Sequence, residues 1–149
     1  MVKLVRTNSE HKDFVFLVKQ LDAYLKITDG DEHEFYNQFN SIENIQHVVI
    51  AYLENKAVGC GAFKPFNKNS VEIKRMFTLS EVRGKGIATH ILKALEEWAS
   101  ELDYASCVLE TGIRQVEAVQ FYKKNRYKII VNYSQYKDVE NSLCFEKYI

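Results

Sequence analysis

The chain has 149 residues, the size of one ordinary domain, and 46% hydrophobic against 27% charged residues marks it as globular rather than disordered. Lys and Arg total 20, as do Asp and Glu, so the formal net charge is zero and the basic excess of a nucleic-acid binder is missing. No run approaches the roughly 18 apolar residues of a membrane span, Met1 to Arg6 lack the apolar stretch of a signal peptide, and the expected compartment is the cytoplasm.

In chain order, a short strand at about Lys3 to Arg6 gives way to Thr7-Asn8-Ser9, a run that can cap a helix. Phe14, Leu17, Val18, Leu21 and Leu25 recur at helical spacing, and Thr28-Asp29-Gly30-Asp31 ends that helix. A second, shorter helix carries Phe35 and Phe39. From Ile45 the period changes: Val48 to Leu53 is apolar on both faces, as in a central strand, and Glu54-Asn55-Lys56 reads as a hairpin turn. Ala57 to Phe63, the turn Asn67-Lys68-Asn69 and Val71 to Thr78 complete an antiparallel meander.

A long amphipathic helix follows, with Ile87, Ile91, Leu95, Trp98, Ala99 and Leu102 on one face. Ala105 to Glu110 is a strand, Gln115 to about Asn125 a helix, and Tyr127 to Val131 and Leu143 to Tyr148 the closing strands. The stretch from Val71 to Glu110 is a strand-helix-strand unit, so its two strands should be parallel neighbours. The expectation is one α/β domain over residues 1–149, built on a central mixed sheet of about seven strands flanked by helices. Cys60, Cys107 and Cys144 sit in apolar, strand-like runs and read as reduced core thiols, with a cysteine nucleophile as the alternative. His33, His47 and His90 show neither triad nor metal spacing, and no metal is expected.

The informative segment is Met76 to Ala88, where a strand ends, a short loop turns and Arg83-Gly84-Lys85-Gly86 opens the long helix at Ile87. The first amides of a helix have no internal partner and sit at the positive end of its dipole, so an anion docks there. Gly84 and Gly86 have no side chain to hold a phosphate off the backbone, and Arg83 and Lys85 add charge-assisted bonds. Glycines kept for tight packing are the other reading. One strand earlier, Val71 and Ile73 share one phase and Met76 takes the other, with Lys74 and Arg75 between. A slip of one residue is what a β-bulge produces; an exposed Arg75 in an imperfect alternation is the alternative.

Arg83, Gly86 and Ala88, placed after a meander and opening a long helix, match Gln/Arg-x-x-Gly-x-Gly/Ala, and the chain resembles the GNAT superfamily of acyl-CoA N-acyltransferases over essentially its whole length. The resemblance implies a GNAT-like fold and transfer of an acetyl group from acetyl-CoA to a primary amine by direct attack in a ternary complex. It implies a coenzyme site at Met76, Phe77, Thr78, Arg83, Gly84, Lys85, Gly86, Ile87, Ala88 and Thr89, with the pantetheine arm between two splayed parallel strands. Gln115 falls where the family often has an asparagine on the pantetheine amide. Tyr122, in a run like Ala-x-x-Phe/Leu-Tyr-x-x-x-Gly-Phe/Tyr, is the implied acid for the leaving thiolate, and Glu110 or Glu72 the implied base. Arg126 stands where that run has glycine, leaving Asn125 as the expected left-handed residue. Tyr133 and Tyr136, in the last loop, either wall the acceptor pocket or are plain loop residues.

The acceptor is open: a small-molecule amine, a protein N-terminus or a lysine. Oligomeric state is open as well; dimers are common in similar proteins, and a homodimer is one of the states left open. A non-catalytic acyl-CoA-binding or sensor domain stays as an alternative. So does a dinucleotide-dependent oxidoreductase, although Thr89 breaks the third position of its glycine fingerprint.

Overall fold

The computed structural model describes residues 1–30 and 45–149; the expected helix carrying Phe35 and Phe39, and His33, lie outside the described residues. In chain order the elements are β1 (Val2–Thr7), α1 (Lys12–Asp29), β2 (His47–Leu53), β3 (Lys56–Pro65), β4 (Ser70–Thr78), α2 (Ile87–Glu101), β5 (Ser106–Gly112), α3 (Val116–Lys124), β6 (Lys128–Ile130) and β7 (Ser142–Tyr148). Single 3₁₀ turns at Ser80–Val82 and Ser134–Tyr136 interrupt two of the loops. The strands form one seven-stranded mixed sheet in the order β1-β2-β3-β4-β5-β7-β6. β4 and β5 are parallel neighbours, and every other adjacent pair is antiparallel.

Both faces of the sheet are covered, which explains the unbroken apolar run of β2. Val49 and Ala51 face α2 through Ile91, Leu92 and Leu95. Val48 and Ile50 face α1 through Phe14, Leu17 and Val18. A strand buried on both sides has no polar face to alternate with. The β2–β3 hairpin closes on Glu54 (φ +50) and Asn55 (φ +67), two left-handed residues, which is the turn whose twist matches the flanking strands. α2 approaches β3 closely enough that a Cβ at Gly61 would lie 2.9 Å from both Ile91 Cγ2 and Leu95 Cδ1.

Two local expectations are corrected. Thr7-Asn8-Ser9 does not cap α1: the cap is His11, whose Nδ1 accepts from the Asp13 amide at 3.1 Å, while Asn8 Oδ1 accepts from the Glu10 amide at 3.0 Å and shapes the turn before it. In α2, Leu102 is exposed at the C-cap, whereas Leu92 and Glu96 are buried. Glu96 tolerates burial because Tyr127 Oη donates to it at 2.8 Å and Lys147 Nζ at 3.0 Å.

Candidate active site

β4 and β5 pair only over Ser70–Ser106, Val71–Cys107 and Glu72–Val108; beyond that β4 continues to Thr78 and β5 to Gly112 without pairing to each other. The cause lies in β4. Between Lys74 and Phe77 it uses one more residue than β3 does between Ala62 and Cys60, and Arg75 adopts φ +60. Such a bulge bends and twists its strand away from its neighbour. β5 instead follows β7, with which it pairs from Ser106 to Gly112. The closed end of the V is clamped: Ser106 Oγ donates to Glu146 Oε2 at 2.7 Å, so the 2.6 Å contact between Ser70 Oγ and Ser106 Oγ has Ser70 as donor.

The parting opens a cleft of about 430 Å³. Of the residues singled out in the sequence, Glu72, Met76, Phe77, Thr78, Arg83, Gly84, Gly86, Ile87, Ala88, Thr89, Glu110, Gln115 and Tyr122 all line it. Lys85 is exposed on the turn and is not part of the lining. The Leu79 amide bonds Val58 O at 2.9 Å, so strand alternation turns the Thr78 amide to the opposite edge, toward the cleft. What leaves that edge of β4 unpaired is the departure of β5.

At one end of the cleft the chain turns through Ser80–Val82 into α2, whose N-cap is Gly86 at φ +77; Gly84 has φ +83. A Cβ added at either glycine would meet nothing within 4 Å, so they are not there for tight packing. They meet the positive φ and leave open space over the first amides of α2, whose first turn holds no acidic residue. Arg83 flanks this space, its Nη1 3.6 Å from Glu117 Oε2 and its guanidinium 5.6 Å from the Tyr24 ring centre. Bare backbone amides, open volume and an adjoining arginine fit a phosphate group.

At the other end sit the titratable groups. Tyr122 is buried on α3 with its ring edge-on to Phe121 and Tyr127. Burial, then the charge of Glu110, push its pKa above the ordinary value for a phenol. Glu72 is 5% exposed: Tyr133 Oη donates to its Oε2 at 2.7 Å, and Lys64 Nζ and Lys74 Nζ each stand 3.9 Å from its Oε1. Arg75 is buried as well, donating to Asp22 of α1 at 2.8 Å. Tyr136 is buried and lines the cleft, whereas Tyr133 is held by Glu72 and packs edge-on against Phe66. Lys74 also lines the cleft, though the sequence marks it only as part of the phase slip; the pointer to it is that β4 holds Glu72, Lys74 and Arg75 within a buried stretch.

The cysteines lie apart from the cleft lining, buried, with burial raising Cys60 and Cys107 to about 12 and Cys144 to about 11, values that disfavour a thiolate. The α3 terminus corrects another expectation. Asn125 has φ −92, and the left-handed residue is Arg126 at φ +74. The Arg126 amide bonds Lys123 O and the Tyr127 amide bonds Tyr122 O, so the Schellman closure forms without its usual glycine.

A family model for the acetyltransferase (GNAT) family matches residues 14–126. The IAA acetyltransferase of Azospirillum brasilense is 27% identical over 154 aligned residues, covering 98% of this chain and 97% of that protein. A solved chain from Klebsiella pneumoniae subsp. pneumoniae MGH 78578, assigned as an acyl-CoA N-acyltransferase, superposes with a TM-score of 0.84 at 26% identity, over 99% of this chain and 97% of its own. A GNAT acetyltransferase from Elizabethkingia anophelis, solved with acetyl-CoA bound, shares the fold with a TM-score of 0.73 at 17% identity, over 99% of this chain and 98% of its own.

Proposed function

Since the chain belongs to the acetyltransferase (GNAT) family and is an acyltransferase, we propose that it moves an acetyl group from acetyl-CoA to a primary amine by direct attack within a ternary complex. The observation that carries this reading is the parting of β4 from β5 beside a helix N-terminus left open by Gly84 and Gly86. The first amides of α2, together with Arg83, hold the pyrophosphate. The unpaired edge of β4 from Met76 to Thr78 bonds the pantetheine amides, and Gln115, the N-cap of α3, reaches them from the opposite side.

Acetyl-CoA supplies the acetyl group already activated as a thioester. Glu110, on the far arm of the V, takes a proton from the incoming amine, directly or through water, because only the neutral amine attacks. Tyr122 offers its hydroxyl to the departing sulfur. A phenol whose pKa is raised keeps its proton throughout the neutral range, so the donor is always present. Glu72 is less suited to act as base, since its carboxylate is already engaged by Tyr133 and faces two lysines.

The test is acetyl-CoA titration by calorimetry combined with thiol release across a panel of amines. Saturable acetyl-CoA binding and amine-dependent thiol release are expected. Binding without thiol release from any amine would contradict the transferase reading.

A further inference from the structure

Glu72 and Val108 form the last parallel pair, and Lys74 and Glu110 each come two residues later on their own arms. Side chains two apart on a strand share a face. Lys74 and Glu110 therefore stand at equivalent positions on the two arms, on the face that carries α1, and both line the cleft. The acceptor end of the cleft thus holds charge of both signs: Glu72 and Lys74 on β4, the Arg75–Asp22 pair beside them, and Glu110 opposite. Lys74 is 8% exposed, and Glu72 at 3.9 Å and Glu110 on the facing arm supply the anionic company that a buried cation needs.

Resting on the transferase reading above, we propose that the acceptor is an amine that also carries a carboxylate, an amino-acid-like zwitterion, bound with its carboxylate toward Lys74 and its amine toward Glu110. In this arrangement both charges of the ligand meet an opposite charge across the parting. The net charge of the pocket stays balanced when the ligand enters. A polyamine or polycationic acceptor would instead bring a second positive charge against Lys74 and Arg75. The electrostatics of Lys74 agree: burial lowers its pKa, Lys64 and Arg75 lower it further, and Glu72 and Glu110 work against them. A ligand carboxylate adds to the stabilising side.

The experiment compares each protein amino acid with the amine left when its α-carboxylate is removed: leucine with isoamylamine, phenylalanine with phenethylamine, lysine with cadaverine, and so on. Thiol release from acetyl-CoA gives kcat/KM for each member. At least one acid is expected to exceed its decarboxylated partner by tenfold or more, the loss of one charge-assisted contact being of that size. In Lys74→Met that ratio should collapse toward one, chiefly through a rise in KM for the acid, and Lys74→Arg should keep most of it. Should Lys74→Met fail to fold, the wild-type ratios and Lys74→Arg still decide. Turnover confined to amines without a carboxylate, no turnover of any acid, or equal losses for both members of a pair in Lys74→Met overturns the inference. Failure of acetyl-CoA itself to bind would instead overturn the transferase reading beneath it, and calorimetry on the same samples tells the two apart.

Discussion

Tyr133 donates a 2.7 Å hydrogen bond to the Glu72 carboxylate, and so the loop between β6 and β7 is tied to β4 at the residue where β4 and β5 last pair. With Lys64 and Lys74 at 3.9 Å on its other oxygen, Glu72 has both carboxylate oxygens engaged, which is why the base role is proposed for Glu110. The two glutamates then have separable roles. Glu110→Gln should lower kcat/KM at neutral pH by about 10² with little change in stability, and raising the pH should recover part of the loss as more of the free amine becomes neutral. Glu72→Gln leaves Lys74 facing an uncharged partner and should cost roughly 3 kcal/mol of stability, within the range for breaking a buried pair. The measurements are pH–rate profiles and denaturant melts of both variants. A Glu72→Gln protein of normal stability that has lost its rate would transfer the base role to Glu72.

Tyr122→Phe removes one buried hydroxyl and little volume. Because the raised pKa makes this phenol a weaker proton donor than a free one, its help to the sulfur is mainly a hydrogen bond, and the expected loss in kcat is near 10², the low end for acid catalysis. Acetyl-CoA affinity by calorimetry should stay within about threefold. An undiminished kcat in Tyr122→Phe would remove the residue from the chemistry.

The buried phenols also set an alkaline limit on the fold. Burial raises the pKa of Tyr122, Tyr127, Tyr133 and Tyr136 above the value near 10 that they regain on unfolding. Above about pH 10 the unfolded chain sheds those protons while the native one keeps them. Their contribution is therefore fully present below pH 10 and is lost as pH rises through the folded values. Chemical denaturation should show stability falling steadily above about pH 10. A flat profile to pH 11 would contradict the burial of these hydroxyls.

Arg126 occupies the left-handed closing position of α3 with φ +74, where a side chain is strained by about 1–2 kcal/mol. Glycine relieves that strain but returns roughly 0.5–1 kcal/mol of chain entropy to the unfolded state. Arg126→Gly should therefore stabilise by about 0.5–1 kcal/mol, a rise of about 2 °C in Tm by calorimetry for a chain of this size. A lower Tm would show that the arginine side chain is holding something the helix end needs.

The glycine turn that opens α2 and the bulge were legible in the sequence because both are local. Glycines at Gly84 and Gly86 before a helix, and a phase slip across Lys74 and Arg75, are written in consecutive residues. The hairpin at Glu54-Asn55 was legible for the same reason. The insertion of β7 between β5 and β6 was not, since no local pattern states which strands become neighbours. The α1 cap was misread because Asn8 and Ser9 are turn formers as well as caps, and the choice between the roles depends on where Phe14 and Leu17 meet the sheet. The burial of Lys74 was not legible, because a charged residue in a strand ordinarily faces water, and here it depends on Glu72 beside it and Glu110 on another strand.

The open-backed turn at Gly86 is proposed to hold the coenzyme's pyrophosphate, and Gly86→Glu probes that contact. The space over the α2 amides accommodates a side chain, but this one brings a carboxylate to the position of the phosphates and strains a residue at φ +77. Calorimetric titration of the folded variant with acetyl-CoA should show affinity reduced at least about a hundredfold, roughly 3 kcal/mol, with a circular-dichroism spectrum like that of the wild type. A Gly86→Glu protein that binds acetyl-CoA as tightly as the wild type would contradict the account.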